Sequence, residues 1–243
     1  MKNLIQEEKE VTHDSEGILN SVLPRRSFLQ FAGAGAVGVA LLAAGCSKDK
    51  DYVGPTDPIV PGENKVDLGS GDTGILNYAF ALEQLEAAFY TKVVESFWSG
   101  VSEKERDFFT DIQLHEIAHR ELLKNVLGDK KIGNLAFDFS KINFGDKNSV
   151  LTAARDLEDT GVAAYNGVAA LLKSKEALLT AAKIVSVEAR HAAYIRETIK
   201  PNDFAAGVVG SNGQDRALKP SEVLSFIKQY VTTEINASNL PTA

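Results

Sequence analysis

The sequence predicts an all-α protein: four long helices in two antiparallel hairpins, joined by one long crossover between the second and third, with an extra helix at the C-terminus. Three observations carry that prediction. Apolar residues recur with a helical period over four stretches of about 25 residues, strand-like alternation is nearly absent, and the connections differ greatly in length. A chain of 243 residues with 44% apolar and 24% charged residues can bury a sizeable core. Lys and Arg number 26 against 33 Asp and Glu, a net charge of -7 that repels a phosphate backbone, so no nucleic-acid partner is expected.

The first segment, residues 1–45, reads as an address label. Arg25-Arg26-Ser27-Phe28-Leu29 precedes a weakly apolar run from Phe31 to Gly45, which is shorter than the ~20 apolar residues of a membrane span. It ends in Ala43-Ala44-Gly45-Cys46. These residues resemble a twin-arginine export signal joined to a bacterial lipoprotein box. The resemblance implies cleavage before Cys46, lipid on its sulfur, and export to the periplasmic side or the cell surface. Cys46 is the one cysteine and Met1 the one methionine, so an intramolecular disulfide, a CxxC motif and a methionine haem ligand are all excluded. Residues 46–72 mix Lys, Asp, Gly and Pro without periodicity and read as a flexible tether.

The bundle is expected over residues 73–200. The first helix runs from Thr73 to about Phe97, with Leu76, Phe80, Ala87, Tyr90 and Val94 on one stripe. The second starts at Ser102, whose spacing to Glu105 fits a capping box; it carries Phe109, Ile112, Leu123 and Val126 and stops before Gly128. A third, about 149–173, aligns Leu151, Ala154, Val162, Tyr165 and Leu172. The fourth, about 175–199, aligns Ala181, Ile184 and Ile195 before Pro201. The final segment, 201–243, is a loop plus a fifth helix from Pro220 to about Ile235. Short turns make hairpins of the first and second pairs, whereas the link from Gly128 to Asn148 can reach ~65 Å and so can travel the ~39 Å length of a helix.

Each apolar stripe is interrupted at one level by charge: Glu83, then Glu116 and His119, then Glu158, then Glu188 and His191. Residues three apart share a helix face, so each Glu-x-x-His points a carboxylate and an imidazole the same way. Glu83 lies about fourteen residues before its turn and Glu116 about fourteen after it; Glu158 and Glu188 are similarly balanced. With the crossover, all six groups fall near mid-height. Glu83 and Tyr90 recur as Glu158 and Tyr165, a faint internal repeat that suits two similar halves about a pseudo-twofold axis. Four carboxylates packed in a low-dielectric core cannot all stay ionised unaided, whereas two divalent cations neutralise them. A paired metal site follows.

At these residues the chain resembles the ferritin-like superfamily, in particular the bacterial ferritin-like domain family that includes plant desiccation-related proteins. The resemblance implies metal ligation by Glu83, Glu116, His119, Glu158, Glu188 and His191. Iron is the expected metal, with manganese also compatible and zinc not excluded by the donor set. It further implies redox chemistry on dioxygen, peroxide or ferrous iron, of the ferroxidase, peroxidase or catalase kind. Tyr90 and Tyr165 could donate hydrogen bonds or an electron, although a plain core role is favoured for both. Glu86 is favoured as a solvated or interhelical partner over an auxiliary ligand.

Two further readings stand beside this one. His115-Glu116-Ile117-Ala118-His119 is literally the H-E-x-x-H zinc-protease motif, but that reading strands Glu83, Glu158, Glu188 and His191, so His115 is read as a bundle residue close to the site. A structural or stress-protective lipoprotein whose metal turns nothing over needs the same ligands. Expected associations are the membrane, through lipid on Cys46, and a second copy of the chain in a homodimer.

Overall fold

The computed structural model describes residues 64–242. Arg25, Arg26, Cys46 and most of the expected tether lie outside the described residues. The elements are β1 (Lys65–Asp67), α1 (Gly71–Glu95), α2 (Glu103–Leu127), α3 (Lys147–Ala169), α4 (Lys175–Ile199), α5 (Pro220–Ile227) and β2 (Glu234–Asn236). The architecture is the all-α, four-helix arrangement expected, with α1 packed on α2 and α3 on α4. Among the described residues no helix is long and apolar enough to cross a membrane.

Local chemistry sets the helix ends. Ser102 accepts from the Glu105 amide while Glu105 accepts from the Ser102 amide, the reciprocal cap the spacing predicts. Asp146 and Ser174 cap α3 and α4 in the same sense, and Gly128 at φ 54° ends α2 in a conformation a side chain would resist.

Two contacts fix the crossover. Lys147 at the start of α3 pairs with Glu105 at the start of α2 at 2.6 Å, and Asp72 at the start of α1 accepts from the Lys173 and Ser174 amides in the α3–α4 turn. The chain therefore leaves the end of α2 and returns to the end at which α2 began. Its route is pinned along α1 by two buried amides. Asn77 donates to Lys130 and accepts from Ile132, and Gln84 donates to Gly133 and accepts from Leu135. Phe139 and Phe144 then pack beside Phe89 of α1.

The structure departs from the sequence reading at four places. The fifth helix ends at Ile227, not Ile235, because Val231 and Thr232 pair with the crossover at Phe137 and Ala136 and draw the chain into extended form. Strand is present: Val66 pairs in parallel with Ile235, so residues 65–67, expected within the tether, are a strand, followed by the buried Leu68. The third helix stops at Ala169, short of Lys173. Val126, expected on the buried stripe, is 49% exposed.

The C-terminal segment adds its own seal. Leu218 donates to the Ala163 carbonyl, and its own carbonyl lies where a Cβ at Gly167 would meet it at 1.8 Å, so this approach requires glycine. Next to the mid-height charges, Asp159 takes two bonds from Arg196, at 2.9 and 2.5 Å, which locks α3 to α4 in register.

Candidate metal centre

The four glutamates that interrupt the apolar stripes meet in the middle of the bundle. Glu83, Glu116, Glu158 and Glu188 are fully buried, and His119 and His191 are buried beside them. They form two groups of four, each with its donor atoms within 4.8 Å of one another: Glu83, Glu116, His119 and Glu188, and Glu116, Glu158, Glu188 and His191. All six expected ligands are brought together, and the two glutamates of the Glu-x-x-His pairs belong to both groups.

The division runs atom by atom. His119 Nδ1 lies 3.5 Å from Glu83 Oε2, 3.5 Å from Glu116 Oε2 and 2.8 Å from Glu188 Oε1. His191 Nδ1 lies 2.9 Å from Glu116 Oε1, 3.5 Å from Glu158 Oε2 and 3.8 Å from Glu188 Oε2. Each bridging carboxylate thus turns one oxygen to each group. None of these eight buried atoms has a partner with hydrogen-bond geometry. An unsatisfied buried polar atom costs about 1–3 kcal/mol, so eight converging on two points is an arrangement that folding alone does not favour. They converge as ligands do, and two divalent cations fit the donor set of carboxylate oxygen and imidazole nitrogen.

The remaining oxygens of the two terminal glutamates are satisfied by the tyrosines. Tyr90 of α1 donates to Glu158 Oε1 on α3, and Tyr165 of α3 donates to Glu83 Oε1 on α1, both at 2.5 Å. Each half of the bundle therefore orients the terminal ligand of the other. The plain core role favoured from sequence is incomplete: both rings are buried, and both hydroxyls position a ligand.

Electrostatics separates terminal from bridging carboxyls. Burial, reinforced by the charge of Glu188, pushes Glu83 up to about 8, and burial holds Glu158 well above the carboxylate range. Glu116 and Glu188 are equally buried, but both imidazoles lie against them and hold them below it. Burial opposes charge on His119 and His191, yet the surrounding carboxylates, Glu83 and Glu158 foremost, raise both well above the usual imidazole value.

Two neighbours stand outside both ligand groups. His115 Nδ1 lies 2.9 Å from His191 Nε2, so the first histidine of the H-E-x-x-H motif lies against His191 and does not join His119 in either group. Glu86 is buried, not solvated. Its carboxyl occupies space left by Gly161 on α3, where a Cβ would stand 3.0 Å from Oε1. Burial first, then the charges of Glu188 and Glu116, push it well above the carboxylate range. Sequence reasoning missed Asn77 and Gln84, whose amides hold the loop over α1, and Gly161, which makes room for Glu86.

A family model described as a ferritin-like domain matches residues 71–201, from the first residue of α1 to just past the end of α4. No curated protein matches the chain.

Proposed function

The chain belongs to the ferritin-like domain family, and on that premise we propose that it holds two divalent metal ions, iron first and manganese second, in a carboxylate-bridged centre that oxidises ferrous iron or reduces dioxygen or peroxide. One observation carries the reading: eight unsatisfied donor atoms divide into two sets of four that share Glu116 and Glu188. Glu83, Glu116, Glu188 and His119 would hold one ion; Glu116, Glu158, Glu188 and His191 would hold the other. Bound there, two redox-active ions would supply one-electron chemistry toward a small oxidant.

The chain's own residues supply the rest. Tyr90 and Tyr165 fix the terminal carboxyls so that a single oxygen of each faces inward. The buried walls exclude bulk water, which strengthens every charge interaction within. Glu86 lies within the same buried cluster, where burial and the charge of all four glutamates favour its protonated form. By its N-terminal motif, through Arg25, Arg26 and Cys46, the protein is exported and lipid-anchored to a membrane.

Metal analysis of the purified protein, followed by anaerobic ferrous loading and a pulse of dioxygen or peroxide, tests this. The expected result is two metals per chain and their rapid oxidation. Two metals that stay inert would favour a structural, stress-protective lipoprotein; no stoichiometric metal would end the metal reading altogether.

A further inference from the structure

The two Glu-x-x-His pairs are equivalent in sequence but not in their surroundings. His191 has both ring nitrogens assigned: Nδ1 faces Glu116 and Glu158, and Nε2 lies 2.9 Å from His115 Nδ1. The two rings are nearly parallel, at 8° with centroids 5.2 Å apart. His119 presents its Nδ1 to the cluster in the same way, but among the described residues no side chain partners its Nε2, and its side chain is 11% exposed against 5% for His191.

The internal repeat shows that this difference is not forced by the fold. The offset that carries Glu116 onto Glu188 and His119 onto His191 carries His115 onto Val187. Valine offers no acceptor. One half of the bundle therefore has a group to orient the opposite imidazole, and the other half has none.

The consequence is one of tautomer. For His191 Nδ1 to offer a lone pair to a cation, its proton must sit on Nε2, and His115 Nδ1 is the acceptor that keeps it there. A partner of this kind fixes ring orientation and raises ligand basicity, and its removal costs about 10–100-fold in metal affinity. His119 has no such partner among the described residues.

We propose that His115 makes the two metal positions unequal: the position formed by Glu116, Glu158, Glu188 and His191 retains its ion, and the position formed by Glu83, Glu116, His119 and Glu188 exchanges its ion. His115 is a positioning residue that acts through His191. This rests on the dimetal reading above and deepens it, because it names the position through which a divalent ion enters and leaves.

The test is a zinc titration of the full chain against a chromophoric chelator, with zinc chosen because it undergoes no redox change. The wild-type protein should bind two ions with dissociation constants about 10–100-fold apart. His115→Leu should weaken the tighter constant by about the same factor and leave the looser one in place. His115→Asn, whose amide oxygen falls near the position of Nδ1, should restore the tighter constant to within about threefold, a rescue that a packing role would not give. Equal constants in the wild-type protein, loss by both variants alike, or a shift confined to the looser constant would each overturn the proposal while leaving the dimetal centre standing. Failure of the wild-type chain to bind zinc at all would overturn the dimetal reading itself.

Discussion

Loading the metal-free protein with two divalent ions should expel protons at pH 7, and about one fewer at pH 9. His119 and His191 contribute, because the carboxylates around each imidazole outweigh the cost of burial and favour its protonated form, which a cation at Nδ1 would displace. Glu83, pushed up to about 8 by burial and by the charge of Glu188, holds a proton in roughly nine molecules of ten at pH 7 and in roughly one of ten at pH 9. Glu158, which burial holds well above the carboxylate range, adds to the release. Glu116 and Glu188, held below that range by the imidazoles against them, do not, and Glu86 lies outside both ligand groups. Protons that leave as positive charge enters keep the buried cluster near neutrality, which is the condition for stability in a dry core. Anaerobic manganese(II) titrations by calorimetry, in buffers of contrasting ionisation enthalpy, count the protons from the slope of observed against buffer enthalpy. No release at pH 7, or a count that does not fall toward pH 9, would show that Glu83 is already ionised in the metal-free protein, and would refute the reasoning.

Three more outcomes follow from the same geometry. The metal-free protein should lose stability as pH rises from about 5 through 8: Glu83 has a folded value near 8 against an unfolded value of 4.5, and both imidazoles are raised above 6.5, so the native state binds more protons than the unfolded state across that window. Thermal melts in chelator should show the decline, and melts of the loaded protein should not. Glu116→Gln or Glu188→Gln should weaken both metal positions, because each carboxylate turns one oxygen to each, whereas Glu83→Gln should weaken one and leave a single tight ion; metal stoichiometry after gel filtration separates the cases. Gly167→Ala should destabilise the fold by about 2 kcal/mol or more, read by denaturant unfolding, since its Cβ would meet the Leu218 carbonyl at 1.8 Å and a backbone atom cannot step aside as a side chain can.

What could be read from the sequence divides along the range of the interactions involved. The ligands were legible because a helix converts spacing into direction: Glu116 with His119 and Glu188 with His191 share a face by period alone, and equal distance from a turn equates height. The crossover was legible because its length had no cheaper explanation. Asn77 and Gln84 were not legible. Each is a polar residue in an apolar stripe whose partners are backbone atoms of the crossover about fifty residues away, and nothing in helical period encodes those partners. The pairing of β1 with β2 was hidden for the same reason, since Val66 and Ile235 come from opposite ends of the described chain.

Glu86 is the instructive case, because its signal was present in the repeat. The offset that carries Glu83 onto Glu158 and Tyr90 onto Tyr165 carries Glu86 onto Gly161, and the folded chain sets those two residues against each other. A carboxyl on one half therefore fills a space that the other half leaves by having no side chain there. A true twofold would have placed two carboxyls in one cavity, beside four more already there. Burial and the four neighbouring carboxylates push the single acid well above the carboxylate range, which disfavours a fifth negative charge in a cluster that two divalent ions can balance only at four. The departures from symmetry at Glu86 and His115 thus act on different parts of the centre: one places a further carboxyl beside the four glutamates of the cluster, and the other orders a single imidazole. Substitution at Gly161 should disturb the first and leave the His115–His191 contact, which lies between α2 and α4, in place.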